Sequence, residues 1–182
     1  MANTTERLTA EQLACMADDG KRRELVDGVL QMMSPAGGRH GRIAGKLLLR
    51  IGYHVERQEL GAVFAAETGF LLHRSPDTVR APDVAFVSHG RLGDLADHPG
   101  YLPLVPDFVA EVVSPQDESS EVEAKAAGWL RAGVRAVLVV DPQTKSIREY
   151  RSPDQIRVYR AGFIDLGDVL PEFRLDVDEL FG

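Results

Sequence analysis

The most regular spacing of apolar positions in the chain lies between Arg39 and Gln58, where Ile43, Leu47, Ile51 and Val55 recur every fourth residue. That period predicts a helix with one apolar stripe laid against a sheet. Upstream, Thr9-Ala-Glu-Gln12 has the form of a capping box opening a short helix to about Asp18, stopped by Asp18-Asp19-Gly20. RRELVDGVLQMM is two apolar-rich runs about Asp27-Gly28, a hairpin signature. AVFAAETGFLLH reads as a second hairpin-like pair and TVRAPDVAFVS as one further strand. Residues 89–106, rich in Gly, Pro and Asp, show no period and read as a long surface loop. FVAEVV, a helix from about Asp117 to Ala132, and RAVLVVDP then form a β-α-β unit with parallel strands. SIREYR and QIRVYR are two short strands before a terminal VDELF turn.

One position breaks the apolar pattern. In PDFVAEVVSP a short hydrophobic run has the character of a strand buried on both faces, yet it contains Glu111. An isolated ionised carboxylate there is expensive, so it must be paired, bind a metal or hold a proton. The following helix offers a partner. Lys125, fourteen positions on, shares its apolar face with Val122 at i−3 and Trp129 at i+4. From these two residues alone, a structural buried salt bridge and a functional pair are both open. Asp83, after Ala81-Pro82 at the start of VAFV, and Glu24, in RRELV, add two carboxylates. Three carboxylates and a lysine on a sheet and its covering helix are the parts of a magnesium site for phosphodiester hydrolysis.

Composition narrows the frame. A chain of 182 residues that is 44% hydrophobic suits one domain spanning residues 1–182. A single cysteine, Cys15, excludes an internal disulfide framework and a thiolate zinc cluster, and fits a reducing cytoplasm. No run has the length of a membrane span, and MANTTERLTAEQ lacks the form of an export signal. The formal net charge of −7 opposes a non-specific nucleic-acid coat but leaves room for a local basic patch. GKRR and the spaced Arg39, Arg42, Lys46 and Arg50 are the candidates, with a solvated helix face as the ordinary reading of each.

The stretches RRELVDGVLQMMSP, HGRIAGKLL, VRAPDVAFVS, PDFVAEVVSP with its later lysine, AGVRAVLVVDP and LPEFRLDVDELF, in that order, resemble the Uma family of restriction-endonuclease-like proteins. That family belongs to the PD-(D/E)XK phosphodiesterase superfamily. The resemblance implies an α/β fold with a central mixed sheet flanked by helices, an N-terminal hairpin, and a nuclease site using Mg2+ or Mn2+. It places the motif aspartate on Asp83, the motif glutamate on Glu111 and the N-terminal acidic position on Glu24. Val113 stands where the usual lysine would be, and Lys125 on the next helix takes its place. His40 also matches a family position, at a helix start where it could meet a phosphate or serve as a cap.

The expected protein is thus a metal-dependent nuclease acting on nucleic acid, DNA before RNA. Asp83, Glu111 and the Val112 carbonyl would hold the cation, Glu24 would complete its shell, and Lys125 would assist the water. A homodimer is expected, since a duplex has two strands and two-fold pairs are the commonest oligomers. The rival of a different class is a non-catalytic interaction protein that keeps the nuclease fold, and a metal-free carboxylate hydrolase acting on sugars stands third.

Overall fold

A computed structural model describes residues 7–17 and 19–182. In chain order the elements are α1 (Ala10–Ala14), β1 (Arg22–Val26), β2 (Val29–Met33), α2 (Gly38–Arg57), β3 (Gly61–Ala65), β4 (Phe70–His73), β5 (Thr78–Arg80), β6 (Val84–Ser88) and α3 (His89–Leu92). They continue as β7 (Phe108–Val112), α4 (Ser119–Ala132), β8 (Ala136–Asp141), β9 (Ser146–Ser152), β10 (Gln155–Tyr159), β11 (Phe163–Asp165), β12 (Arg174–Asp176) and α5 (Val177–Phe181). The capping box is formed at Thr9 and Gln12, though α1 ends at Ala14. The expected stop at Asp18 lies outside the described residues. No helix of the described residues is long and apolar enough to cross a membrane.

The central sheet runs β10-β9-β8-β7-β6-β3, with a four-stranded sheet β2-β1-β5-β4 and a pair β11-β12 beside it. It is mixed, because β7 and β8 pair in parallel while the other neighbours are antiparallel. Both faces of β7 are covered, which explains its near-continuous apolar run. Phe108, Ala110 and Val112 join the cluster containing Ile43, Leu47, Ile51 and Val55 of α2. Val109 joins the opposite cluster with Ala126 and Trp129 of α4. Strand periodicity therefore turns Glu111 toward α4, not toward α2. Each fully buried stripe residue of α2 contributes about 1.5–3 kcal/mol, enough to fix how α2 sits on the sheet.

Two of the strand readings and one loop reading need correction. AVFAAETGFLLH is not a hairpin, since β3 pairs with β6 in the large sheet and β4 with β5 in the small one. TVRAPDVAFVS is two strands, because Pro82 has no N–H for a ladder and the chain crosses there from one sheet to the other. Residues 89–106 are a folded connection with α3 and a 3-10 turn at Gly93–Asp97, pinned by buried Leu92 and Leu102. The first hairpin forms as read, with Asp27 and Gly28 both at positive φ as a tight turn between β1 and β2 requires. Gly133, at φ 108°, ends α4 in the left-handed conformation. The terminal VDELF is a helical turn capped by Asp176, whose carboxylate accepts from Glu179 N–H.

Candidate active site

Five of the sequence-derived side chains, those of Glu24, His40, Asp83, Glu111 and Lys125, meet at one end of the central sheet. Glu111, the fourth residue of β7, leans against α4. Lys125 Nζ lies 3.0 Å from it, and Trp129 Nε1–H, one turn further along the same face, donates to Glu111 Oε1 at 2.8 Å. The same ammonium stands 3.1 Å from Glu24 Oε1. Glu24 is buried within β1, where Arg80 donates to Oε2 at 3.2 Å and Ala81 N–H to Oε1 at 3.1 Å. Thus the small sheet presents Glu24 and Arg80 to the helix that covers the large one.

Asp83 stands just before β6. Its Oδ2 accepts from Val112 N–H at 2.8 Å, which ties it across the sheet to the residue after Glu111. His40 Nε2, from the first turn of α2, is 3.1 Å from the same oxygen, and Arg22 is 4.0 Å from Oδ1. A cavity of about 280 Å³ opens beside this cluster, lined by Arg22, His40 and Asp83 with the small residues Gly41, Ala44 and Gly45. Those short side chains on α2 leave open the approach to Asp83.

The electrostatics follow from this crowding. Burial, opposed by Lys125 and reinforced by Asp83 and Glu24, pushes the Glu111 carboxyl up to about 7. Burial works against the Lys125 charge too, but Glu111 and Glu24 outweigh it and hold the ammonium pKa above its ordinary value. The hydrogen bond to Asp83 raises His40 in spite of its burial. Asp83 is opposed by burial, yet His40 and the Val112 N–H hold it below the usual carboxylate range. One carboxylate is thus kept ionised while its neighbour holds a proton near neutrality.

Among the described residues no group of three or more His, Cys, Asp or Glu side chains is spaced to hold a metal ion. The reason is visible: Lys125 stands between Glu24 and Glu111, and His40 covers Asp83 Oδ2. The protein's own cations fill the place. The donor chemistry of Asp83 and Glu111 still fits a hard divalent cation, because both offer carboxylate oxygens and burial leaves the Glu111 charge only partly offset by Lys125.

Arg80, Trp129 Nε1 and Arg22 are partners that reading the sequence missed as such. Trp129 was legible as a stripe residue, and its i+4 spacing from Lys125 was the signal that both address one group. Arg80 and Arg22 depend on contacts 56 and 61 positions apart (80 − 24 and 83 − 22), which no local pattern carries.

A mixed sheet flanked by helices, with carboxylates and a lysine gathered at one end, defines a restriction-endonuclease-like protein. Over residues 10–178 the sequence matches the Uma2 family, described as "Putative restriction endonuclease", and the chain belongs to that family. A solved structure from Anabaena variabilis, described as a "putative nuclease belonging to DUF820", has the same fold, with a TM-score of 0.82 over 96% of this chain and 97% of that one. The two are 18% identical. Among curated proteins nothing matches.

Proposed function

We propose that the chain, acting as one unit over residues 1–182, hydrolyses phosphodiester bonds in nucleic acid with the help of Mg2+ or Mn2+, with DNA the preferred substrate. The observation that carries this reading is the gathering of Asp83, just before β6, with Glu111 of β7 and Lys125 of α4, and an open cavity beside Asp83. Asp83, Glu111 and the Val112 carbonyl would hold the cation, whose part is to offset phosphate charge and acidify water. Lys125, kept charged by two carboxylates, would orient the attacking water or steady the phosphate. Glu24, expected from the sequence to complete the metal shell, has Arg80, Ala81 N–H and Lys125 on its two oxygens. Its part in this reading is to position Lys125.

Calorimetric titration with Mg2+ or Mn2+ tests the metal directly. One site is expected, with a melting temperature raised by mass action and with no binding heat in an Asp83→Asn, Glu111→Gln double variant. Glu111 must release its proton to ligate. Affinity should therefore fall roughly tenfold for each pH unit below about 7 and level off above it. Equal heats for wild type and double variant would contradict the site.

The pairing of every acid in the cluster with a protein cation favours the second reading, a non-catalytic interaction protein that keeps the nuclease fold. A homodimer belongs with the catalytic reading, as two centres would face the two strands of a duplex. Sedimentation at tens of micromolar yielding a 20.0 kDa species, the mass of one chain, would count against that assembly.

A further inference from the structure

The first turns of α2 separate two cavities. His40 reaches one of them and touches Asp83. Arg39 and Arg42, a helical turn apart, line the other, a cavity of about 220 Å³ closed by Pro142, Gln143 and Lys145 of the β8–β9 turn. Resting on the nuclease reading, we propose that Arg39, Arg42 and Lys145 form a second phosphate-binding site that holds the backbone of the same nucleic-acid strand whose scissile phosphate lies at Asp83.

Three observations carry this. First, the cations are unspent. All three are exposed, and among the described residues none has an acidic partner. The remainder of the stripe is used up, since Lys46 donates to the carbonyls of Glu179, Leu180 and Gly182 and Arg50 pairs with Glu179. The acid of the turn is engaged as well, because the Asp141 carboxylate accepts from Gln143 N–H and the Thr144 hydroxyl. Three uncompensated cations around one hollow are out of keeping with a chain of net charge −7.

Second, the location is shared with the carboxylates. β8 runs parallel to β7 with Val140 beside Val112, so the turn carrying Lys145 leaves the sheet at the end where Val112 N–H holds Asp83. Arg39 and Arg42 flank His40 on the chain. Third, the cavity lies at the N-terminal end of a helix of 20 residues, whose dipole favours an anion there. A phosphodiester strand crossing the start of α2 meets both hollows, and three cations spread around one hollow suit successive phosphates rather than one small ion.

The test is fluorescence anisotropy with the full chain, in chelator, using labelled single-stranded DNA, duplex DNA and RNA over a range of salt. Wild type should bind at least one of them. The triple variant Arg39→Ala, Arg42→Ala, Lys145→Ala should bind that strand about 100-fold more weakly at about 0.1 M salt, with its log–log salt slope smaller in magnitude by about two to three. Arg42→Ala alone should lower the slope by about one, while Arg57→Ala, about 22 Å along the helix, should leave it unchanged. An unchanged slope in the triple variant, or an equal effect of Arg57→Ala, would overturn the proposal, as would a wild type that binds none of the three. Cleavage is scored separately with Mg2+ and Mn2+. A wild type that binds through these cations and never cleaves would end the nuclease reading and leave the binding site standing.

Discussion

Lys125→Met is expected to abolish cleavage while keeping the fold near pH 6, and to become progressively less stable than wild type as pH rises above 7. The methionine keeps the apolar stem against Val122 and Trp129, so packing on the sheet is preserved. What disappears is the ammonium 3.0 Å from Glu111 and 3.1 Å from Glu24. With Lys125 present the Glu111 carboxyl titrates at about 7, above its ordinary 4.5, so folding favours its protonated form and that contribution is lost as pH climbs toward 7. Without the lysine the carboxyl rises further, and between the two values the variant loses about 1.4 kcal/mol of stability per pH unit relative to wild type. Once Glu111 is ionised in both proteins, the deficit is that of a broken buried pair, about 3–5 kcal/mol. Mg2+ should reduce it, because a cation on Glu111 replaces the missing charge. Chemical denaturation at pH 6 and 9, with and without Mg2+, beside cleavage at matched folded fraction, decides the matter. A pH-independent stability difference together with full cleavage would leave Lys125 neither of its proposed parts.

How much of this was legible beforehand follows the range of the interactions. Ile43, Leu47, Ile51 and Val55 announce α2 because helical periodicity is local, and Asp27-Gly28 announces its hairpin for the same reason. Glu111 and Lys125 stood out as charges within apolar patterns, and one β-α-β step brought them together. The sheet assignments of AVFAAETGFLLH and TVRAPDVAFVS were not legible, because whether neighbouring strands pair with each other or with distant ones depends on the competition between two sheets. Pro82 marked the break without saying where each side would go. His40 was the other gap. Its contact with Asp83 spans 43 positions (83 − 40), and only the folded position of the first turn of α2 shows that it addresses the carboxylate cluster. The basic positions on α2 were visible as a stripe, but their division into Lys46 and Arg50, which tie down the C-terminal turn, and Arg39 and Arg42, which line a hollow, is a tertiary fact.

The second large effect concerns the carboxylates themselves. Asp83→Asn keeps an oxygen for Val112 N–H, and Glu111→Gln keeps one for Trp129 while Lys125 retains Glu24 as an acceptor, so neither change empties the core. Both remove the negative charge that a divalent cation needs. The expected loss of cleavage is roughly a thousandfold or more with the fold intact. The most direct measurement is therefore cleavage of plasmid and single-stranded substrates by wild type and by the Asp83→Asn, Glu111→Gln double variant, at matched folded fraction, with Mg2+, with Mn2+ and with chelator. The account predicts cleavage by wild type alone and only with metal. Equal cleavage by both proteins, or none by wild type with either cation, would contradict it.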